Sequence, residues 1–261
     1  MNHWQTFPAR WSLLKPPLRP DASVIDCVRS LVGADAAPVL LLGVTPELAA
    51  AFAEVEAVDR SAEMIAALWP GDGPGKRAIR GDWLDLCGEP RFAAVVGDGS
   101  PNALTSLEDA AWLLRIVVGL LLPGGSFACR LYERPAVPFT IDDLLATTSK
   151  PGVMNFHAFK WQLAMHIAET SSPTVHVASI LERFDALFPD RDALAGRTGW
   201  ARAEIDTIDV YARSPLAYTF PDRVEFTRLL PPGIEAVRFL PCGSYDMAAC
   251  CPVLTFRKAW Q

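Results

Sequence analysis

Long hydrophobic runs are absent from this sequence. Crossing a bilayer takes about 20 consecutive apolar residues, whereas an apolar stretch such as residues 116–122 stops at Pro123. The amino terminus also lacks the basic stretch and apolar run of a secretory signal. We therefore expect no membrane partner, and a cytoplasmic location is favoured.

Positive charge is also scarce. The chain has 24 Lys and Arg against 30 Asp and Glu, a formal net charge of −6, and it contains no basic run. Proteins that follow a nucleic-acid backbone carry clustered Lys and Arg side chains. The composition therefore predicts no nucleic-acid partner.

Cysteines at the spacing of metal sites or redox pairs are absent as well. The six cysteines are scattered, with no Cys-x-x-Cys pair and no histidine at ligand spacing. Zinc sites and redox pairs normally show such spacing. We expect reduced cysteines that act as small core residues, with neither a disulfide nor a metal site.

The chain has ample material for a hydrophobic core. Apolar residues make up 51% of the sequence and charged residues 21%, far from the composition of disordered proteins. We expect a single domain spanning residues 1–261. Within it, residues 1–20 form an N-terminal arm with little periodicity, which carries three large aromatic side chains: Trp4, Phe7 and Trp11.

Strand and helix patterns alternate from residue 38 to residue 132. The clearest unit is the apolar run 38–43, ended by Gly43, after which Thr45 and Pro46 suit the start of a helix. Four further strands are predicted at residues 55–59, 76–81, 92–97 and 126–132. Strands that alternate with helices predict an α/β fold with a doubly wound parallel sheet.

The pattern changes after the fifth strand. Residues 134–221 are predicted to form a helical insertion, or lid, without strands, with helices at 141–148, 155–169, 175–188 and 201–212. Residues 234–240 and 251–257 then have strand patterns, and the short connection between them implies an antiparallel hairpin. We therefore predict a seven-stranded, mostly parallel sheet with a C-terminal antiparallel hairpin.

This arrangement, with Pro-Gly-Gly before the fifth strand, resembles the class I S-adenosylmethionine-dependent methyltransferases. The resemblance covers most of residues 38–132 and returns at residues 234–257. In that family the first strand ends in an acidic-x-Gly-x-Gly-x-Gly turn. Here Leu41 stands in place of the acid, and only the first glycine, Gly43, remains.

The resemblance also implies a binding site for S-adenosylmethionine. Asp59 would accept the ribose hydroxyls, Met64 would lie against the adenine, and Asp82 would take the adenine amine. Asp98 lies at the mouth of the fourth strand, where the reacting methyl group is expected. The residues implied to bind the cofactor are Gly43, Thr45, Asp59, Arg60, Met64, Asp82, Trp83, Asp98 and Gly99.

Most of these residues also have a purely structural interpretation. Gly43 could simply end a strand, Asp59 could cap the next helix, and Trp83 could be ordinary core. His157 and Trp161 fall four residues apart on one helical face, where packing is the commoner explanation. Three loops that converge at the carboxyl ends of parallel strands nevertheless favour a ligand site.

A dinucleotide is the nearest alternative cofactor within this fold. Its pyrophosphate requires glycines and N–H donors at a helix N-terminus. Here Pro46 removes one donor, and Glu47 adds a negative charge. Because S-adenosylmethionine has no phosphate and carries a positive charge, it is favoured over NAD.

The resemblance thus implies an enzyme that transfers a methyl group to a small-molecule substrate. Positioning can do most of the work in such a transfer, so no residue has to be catalytic. Asp98, Tyr132 and His157 are the candidates for a proton acceptor. The alternative is a catalytically inactive relative that binds a nucleoside or acts as a regulatory subunit, which the degraded glycine turn would explain.

Overall fold

A seven-stranded sheet organises residues 7–260, which are the residues that the computed structural model describes. The strands of the protein are β1 (Val39–Leu42), β2 (Val55–Asp59), β3 (Lys76–Arg80), β4 (Phe92–Asp98), β5 (Leu121–Arg130), β6 (Thr174–His176), β7 (Ala217–Thr219), β8 (Ile234–Leu240) and β9 (Val253–Lys258). The main sheet has the order β3-β2-β1-β4-β5-β9-β8, while β6 and β7 form a separate pair.

The direction of the strands confirms the predicted fold class. Strands β1 to β5 are parallel, and β9 runs antiparallel to both β5 and β8. All four residues of β1 are buried, as expected for a central strand with helices on both faces. The strand order reverses at β1, and such a reversal opens a crevice at the carboxyl ends of the strands.

Helices cover both faces of the sheet. Within the described residues they are α1 (Ala22–Val32), α2 (Pro46–Ala51), α3 (Ala62–Leu68), α4 (Leu107–Leu120), α5 (Ile141–Thr147), α6 (Phe156–Thr170), α7 (Val177–Leu187), α8 (Arg191–Thr198), α9 (Arg202–Ile205) and α10 (Arg223–Leu229). Helices α1, α2 and α3 pack on one face, and α4 and α10 pack on the other. Short 3-10 helices lie at Phe7–Leu13, Trp83–Asp85, Pro101–Ala103, Asp206–Tyr211 and Ala248–Cys250.

Residues 134–221 contain strands as well as helices. The prediction that this segment lacks strands is wrong, because β6 pairs antiparallel with β7, with Val175 opposite Tyr218. A strand of three residues is too short to show an alternating pattern in the sequence. Helix α8 is not predicted either, and the helix expected at 201–212 is divided into α9 and a 3-10 turn.

Helix α6 forms the centre of a hydrophobic cluster that is separate from the two clusters on the faces of the sheet. Eleven of its fifteen residues are buried, so the helix is covered on nearly every side. Phe156 and Phe159 pack edge-on or tilted against Phe184 and Trp200. This aromatic packing fixes the orientation of α6, which carries His157 and Trp161.

Two of the cysteines are bonded to each other. Cys27 of α1 forms a disulfide with Cys242 in the β8–β9 connection, with the Cα atoms 6.4 Å apart. The expectation that all six cysteines are reduced is therefore wrong for this pair. Because 215 residues separate the two cysteines, no local spacing indicates the bond. The free cysteines are Cys87, Cys129, Cys250 and Cys251.

Residues 7–260 contain no helix that is both long and apolar enough to cross a membrane. In the same part of the chain, no cluster of three or more His, Cys, Asp or Glu side chains is placed to hold a metal ion.

The N-terminal arm is held to the body of the protein partly through its own carbonyl groups and partly through the side chains of Arg10, Lys15 and Arg19. His157 Nε2 donates to Leu13 O (2.9 Å), and Asn155 Nδ2 donates to Pro16 O (2.9 Å). Pro17 O accepts from Arg130 Nη2 (2.6 Å) and from the Tyr132 hydroxyl (3.2 Å). These donors belong to α6, its N-cap and the carboxyl end of β5. Trp4 and the side chain of Phe7 lie outside the described residues.

A buried ion pair lies beneath the arm. Arg130 is completely buried and donates from Nε and Nη2 to the two carboxylate oxygens of Asp98, at 2.6 and 2.9 Å. Its Nη1 lies 3.1 Å from the hydroxyl of Tyr245, in the β8–β9 connection. Burial raises the pKa of Asp98, while the charge of Arg130 opposes that rise. The pair therefore joins β4, β5, the arm and the C-terminal hairpin.

The caps of α4 and α2 provide a first test of the fold. Ser106 Oγ accepts a hydrogen bond from the Asp109 backbone N at 3.0 Å, whereas Thr45 makes no side-chain cap bond. We expect Ser106→Ala to lower the free energy of unfolding by about 1 kcal/mol. Thr45→Ala should stay within about 0.5 kcal/mol of the parent protein. Urea unfolding followed by circular dichroism measures both, and equal losses would contradict the difference between the caps.

The buried pair provides a second test. Asp98→Asn leaves the charge of Arg130 buried without its counter-charge, so the free energy of unfolding should fall by about 3–5 kcal/mol. The double variant Asp98→Leu with Arg130→Met removes both charges and should lose less than Asp98→Asn alone. Urea unfolding of the three proteins makes the comparison. A loss below about 1 kcal/mol in Asp98→Asn would show that the pair is not a structural anchor.

Candidate functional site

The carboxyl ends of the parallel strands open into a cavity of about 980 Å³, which includes space open to solvent. All nine residues predicted to bind a cofactor line it: Gly43, Thr45, Asp59, Arg60, Met64, Asp82, Trp83, Asp98 and Gly99. The fold thus brings the nine residues to one place, and their role in binding stays a prediction.

Gly43 follows β1 at the centre of the cavity wall. Its φ of +102° is one that side chains with a Cβ rarely adopt. A Cβ built at this position would lie 3.7 Å from Trp83 Cζ2 and 3.9 Å from Asp59 Oδ2, at ordinary contact distances. A side chain here would therefore project into the space between Trp83 and Asp59 and would not overlap the core.

Asp59 ends β2 with one oxygen directed toward this space. Its Oδ1 accepts a hydrogen bond from the backbone N of Ser61 at 2.8 Å, while Oδ2 lies near Gly43. Burial raises the pKa of Asp59 to about 6. The N-cap of α3 is Ser61, whose Oγ accepts from the Met64 backbone N at 3.2 Å. Asp59 is therefore not the helix cap that one interpretation of the sequence suggested.

The turn after β3 places Trp83 across the end of β2. Its indole N donates to the Val58 carbonyl at 2.6 Å, which fixes the ring at the cavity wall. Trp83 is partly exposed, so it is not an ordinary core residue. Asp82 caps the short 3-10 helix by accepting from the Leu84 backbone N at 3.0 Å. Asp82 thus caps this short helix and also lines the cavity.

Thr45 and Arg60 also line the cavity. Thr45 is the N-cap of α2, yet its hydroxyl makes no cap bond and the residue lines the cavity. The expectation that this hydroxyl caps the helix is wrong, since Thr45 has φ −55° and ψ 110°, outside the usual β-region of a cap. Arg60 is exposed, and its charge tends to lower the pKa of Asp59.

Asp98 reaches the cavity with both of its oxygens already engaged by Arg130. The sequence suggested this carboxylate as a candidate proton acceptor. The guanidinium satisfies and neutralises it, so the carboxylate offers no free charge. The sequence predicts Arg130 only as a residue of the fifth strand. The sequence spacing of Arg130 and Asp98 gives no indication that the two side chains are in contact.

Gly99 is required by the packing of Tyr132. A Cβ on Gly99 would overlap the Tyr132 ring, so only glycine allows that ring to lie against the end of β4. The Tyr132 hydroxyl donates to Pro17 O at 3.2 Å, and burial raises its pKa well above the usual value. Tyr132 is therefore an ordinary protonated tyrosine in the cavity wall.

Besides Trp83, four aromatic residues line the cavity, and we call them the aromatic chamber: Trp11, Tyr132, Trp161 and Tyr218. Trp11 comes from the arm, while Trp161 and Tyr218 come from residues 134–221. The candidate cofactor residues did not include any of them. In the sequence, Trp161 is notable only because it lies four residues after His157. Tyr218 lies in a strand of three residues, which is too short to give an alternating sequence pattern.

His157 does not line the cavity. It is fully buried, and its Nε2 lies 2.9 Å from the carbonyl of Leu13. Since a carbonyl can only accept, Nε2 carries the proton. Burial lowers the pKa of His157 to about 3, so the ring is neutral. His157 therefore anchors the arm, in agreement with the packing interpretation.

Comparisons with known proteins support the fold. No protein-family model matches the sequence, and no curated protein matches it. The N-methyltransferase NodS from Bradyrhizobium japonicum WM9, in complex with S-adenosyl-L-homocysteine, is 12% identical with a TM-score of 0.51, over 99% of each chain. A SAM-dependent methyltransferase from Methanosarcina mazei is 14% identical with a TM-score of 0.50, over 95% of this chain and 99% of that one.

A third similar structure carries a different name. It is a Rhodobacter sphaeroides protein provisionally named a Zn-dependent alcohol dehydrogenase, 14% identical with a TM-score of 0.62, over 98% of this chain and 97% of that one. At such identities, likeness shows the fold alone. The chain has the Rossmann-like fold of class I S-adenosylmethionine-dependent methyltransferases.

Proposed function

We propose that this protein transfers a methyl group from S-adenosylmethionine to a small-molecule acceptor. The observation that carries the proposal is the space beside Gly43. A missing Cβ keeps it open, and Asp59 Oδ2 and the Trp83 ring flank it at the carboxyl ends of β1, β2 and β3. A nucleoside needs a carboxylate for its ribose hydroxyls and an apolar surface for its base, and the space offers both.

The residues around this space fit the adenosine part of the cofactor. Asp59 would accept the ribose hydroxyls through Oδ2, the atom that Ser61 does not engage. Met64 and Trp83 would enclose the base, and Asp82 lies beside Trp83 for the adenine amine. When bound, S-adenosylmethionine supplies a methyl group that is already activated for transfer.

The turn after β1 favours a sulfonium cofactor over a dinucleotide. Pro46, the first residue of α2, has no N–H to offer a phosphate. Glu47 follows it with one oxygen engaged by Arg19, and its Oε2 is buried without a hydrogen-bond partner in the described part of the chain. Because Glu47 does not line the cavity, the missing N–H of Pro46 is the feature of this turn that disfavours a pyrophosphate.

The protein's own contribution to methyl transfer would be positioning and exclusion of water. Tyr132 of the aromatic chamber lies against Gly99, so an acceptor placed beside it would be near the end of β4. Residues 134–221, which the sequence predicts to be a lid, would then act as a cover together with the arm. Because Asp98 is engaged by Arg130 and Tyr132 is protonated, the acceptor's own chemistry would set how its proton leaves.

A second candidate function is that of a catalytically inactive relative that binds a nucleoside. The observation that favours it is the reduced glycine turn, in which Gly43 is followed by Thr45 and Glu47 where the family has glycines. Calorimetry with S-adenosylmethionine, followed by a search for S-adenosylhomocysteine among the products, separates the two candidates. Tight binding without any turnover across an acceptor panel would favour the inactive relative.

Asp59 provides the main test of the cofactor site. Asp59→Ala should weaken S-adenosylmethionine binding by about 1.5–3 kcal/mol, because charge-assisted hydrogen bonds to the ribose are lost. Since burial raises the pKa of Asp59 to about 6, binding should also weaken as the pH falls from 7.5 to about 5, where the carboxyl becomes protonated. Titration calorimetry at both pH values measures the two effects.

The control for this test is Asp85→Ala, which removes an exposed acid from the 3-10 helix that begins at Trp83. It should bind like the parent protein. Asp59→Asn should abolish the part of the pH dependence that arises at this site. Unchanged affinity in Asp59→Ala would show that the ribose is not bound here.

Gly43 provides an independent test. Gly43→Ala places a methyl group between Trp83 and Asp59 and should weaken S-adenosylmethionine binding by at least about tenfold, or about 1.4 kcal/mol. A positive φ makes any side chain at this position strained, so stability will also fall. Gly33→Ala is the matched control, because Gly33 has a similar φ of +95° and a Cβ added there would meet no atom within 4 Å.

Thermal unfolding and calorimetry of the two glycine variants separate strain from occlusion. Both variants should lose comparable stability, and only Gly43→Ala should lose affinity. Full affinity in a folded Gly43→Ala protein would place the ligand elsewhere in the molecule.

A further inference from the structure

We propose that Arg60 selects the methyl acceptor by binding an oxyanion that the acceptor carries, such as a carboxylate, while the apolar part of the acceptor packs beside Tyr132 and Tyr218. This inference rests on the proposed function and adds the chemical class of the acceptor. It follows from the place of Arg60 in the cavity, from its lack of a partner and from the side chains around it.

Arg60 supplies the accessible positive charge of the cavity. Among the described residues that line the cavity, it is the only one with a basic side chain. The residue is exposed, so its guanidinium is open to a dissolved ligand. Arg130 and Lys160 are buried and do not line the cavity. An anionic ligand in the cavity would therefore meet Arg60.

Arg60 lies near both the strand ends and the aromatic chamber. Burial raises the pKa of Asp59 and also that of the Tyr218 hydroxyl, and the charge of Arg60 is among the effects that oppose each rise. The effect of a charge falls off with distance and is screened by solvent. The guanidinium is therefore close to Tyr218 of the chamber, although Arg60 itself follows β2.

The Arg60 guanidinium has no counter-charge of its own. Arg19 of the arm pairs with Glu47, and Arg130 of β5 pairs with Asp98. Arg60, in contrast, makes no ion pair or hydrogen bond through its side chain with residues 7–260. Its neighbour Asp59 directs Oδ1 to the backbone N of Ser61 and Oδ2 toward Gly43. An anionic ligand would thus displace no existing partner of Arg60.

The side of the cavity that contains Tyr218 is largely apolar. Tyr132 and Tyr218 belong to one hydrophobic cluster, and Trp11, Leu18 and Ala103 pack against it. All five residues line the cavity. The hydroxyl of Tyr132 is already bonded to Pro17 O. This side therefore offers apolar contact area, which suits an acceptor with an apolar body and a separate anionic group.

A cationic acceptor has no comparable partner in the cavity. Asp98 has both oxygens engaged by Arg130, and the Arg60 guanidinium would repel an ammonium. Asp59 and Asp82 are the acids proposed to bind the ribose and the adenine amine, so their oxygens would be engaged when the cofactor is bound. A guanidinium matches the two oxygens of a carboxylate in both geometry and charge.

Three probes with one naphthalene skeleton test the inference. They are 2-naphthoate, which is an anion, 2-naphthamide, which is its uncharged counterpart, and 2-naphthylmethylamine, which is a cation at neutral pH. Their dissociation constants are measured by ligand-observed NMR with the full chain and saturating S-adenosylhomocysteine. The carboxylate should bind most tightly and the amine most weakly. A carboxylate that does not bind, or that binds no better than the amide or the amine, would overturn the inference.

Arg60→Met tests the guanidinium itself. It keeps an apolar stem and removes the charge, so affinity for 2-naphthoate should fall about 5- to 10-fold, with little change for 2-naphthamide. Arg60→Lys should retain part of the preference for the carboxylate, because it keeps the charge and loses the paired donors.

Arg80→Met is the matched control. Arg80 is exposed, lies opposite Asp59 in the register of β2 and β3, and does not line the cavity. It removes the same charge from the same edge of the sheet, so it should leave the ratio of carboxylate to amide affinity unchanged. Equal losses in Arg60→Met and Arg80→Met would show a general effect of charge and would overturn the role of Arg60.

Failure of this inference is distinguishable from failure of the proposed function. Binding of S-adenosylhomocysteine to the parent protein and to Arg60→Met is measured first by calorimetry, without any probe. Its absence in the parent protein would overturn the cofactor assignment. Weaker binding of S-adenosylhomocysteine to Arg60→Met, together with an unchanged ratio of carboxylate to amide affinity, would assign Arg60 to the cofactor and overturn only the acceptor class.

Discussion

The buried pair of Asp98 and Arg130 connects more parts of this protein than any other contact described above. It joins β4 to β5 at the edge of the crevice, and Arg130 also reaches Pro17 of the arm and Tyr245 of the hairpin connection. Two charges that are hidden from water depend on each other, because either one alone would be costly to bury. The position of the arm over the strand ends is therefore coupled to the integrity of the sheet. The same pairing withdraws Asp98 from any role as a free base.

The cavity that results is lined by both carboxylates and aromatic rings. Asp59 and Asp82 stand at the ends of neighbouring strands, where hydroxyl and amine donors can be bound. Burial raises the pKa of Asp59 to about 6, so this carboxylate is sheltered from water. The cavity therefore offers both polar and apolar contacts to a ligand, a combination that suits a nucleoside.

The sequence predicts the elements formed by neighbouring residues and misses contacts between distant ones. Apolar runs ended by Gly43 and Asp59 are local signals, so the sheet and the strand-end residues of the cavity could be predicted. The disulfide of Cys27 and Cys242 and the pair of Asp98 and Arg130 join residues far apart in sequence. Rules based on the spacing of nearby residues in the sequence do not predict such contacts. Tyr218 was missed for the related reason that three-residue strands have no detectable period.

The way the arm is attached has a consequence for how this protein can change over evolution. Leu13, Pro16 and Pro17 accept the bonds from α6, its N-cap and β5 through backbone carbonyls, which every amino acid possesses. Trp11 and Leu18, by contrast, face the cavity with their side chains. These carbonyl attachments and the lining of the cavity thus depend on different atoms of one segment, and the pairs of Lys15 with Glu204 and of Arg19 with Glu47 add side-chain attachment at other positions. The side chains that line the cavity can therefore be exchanged while these attachments are retained.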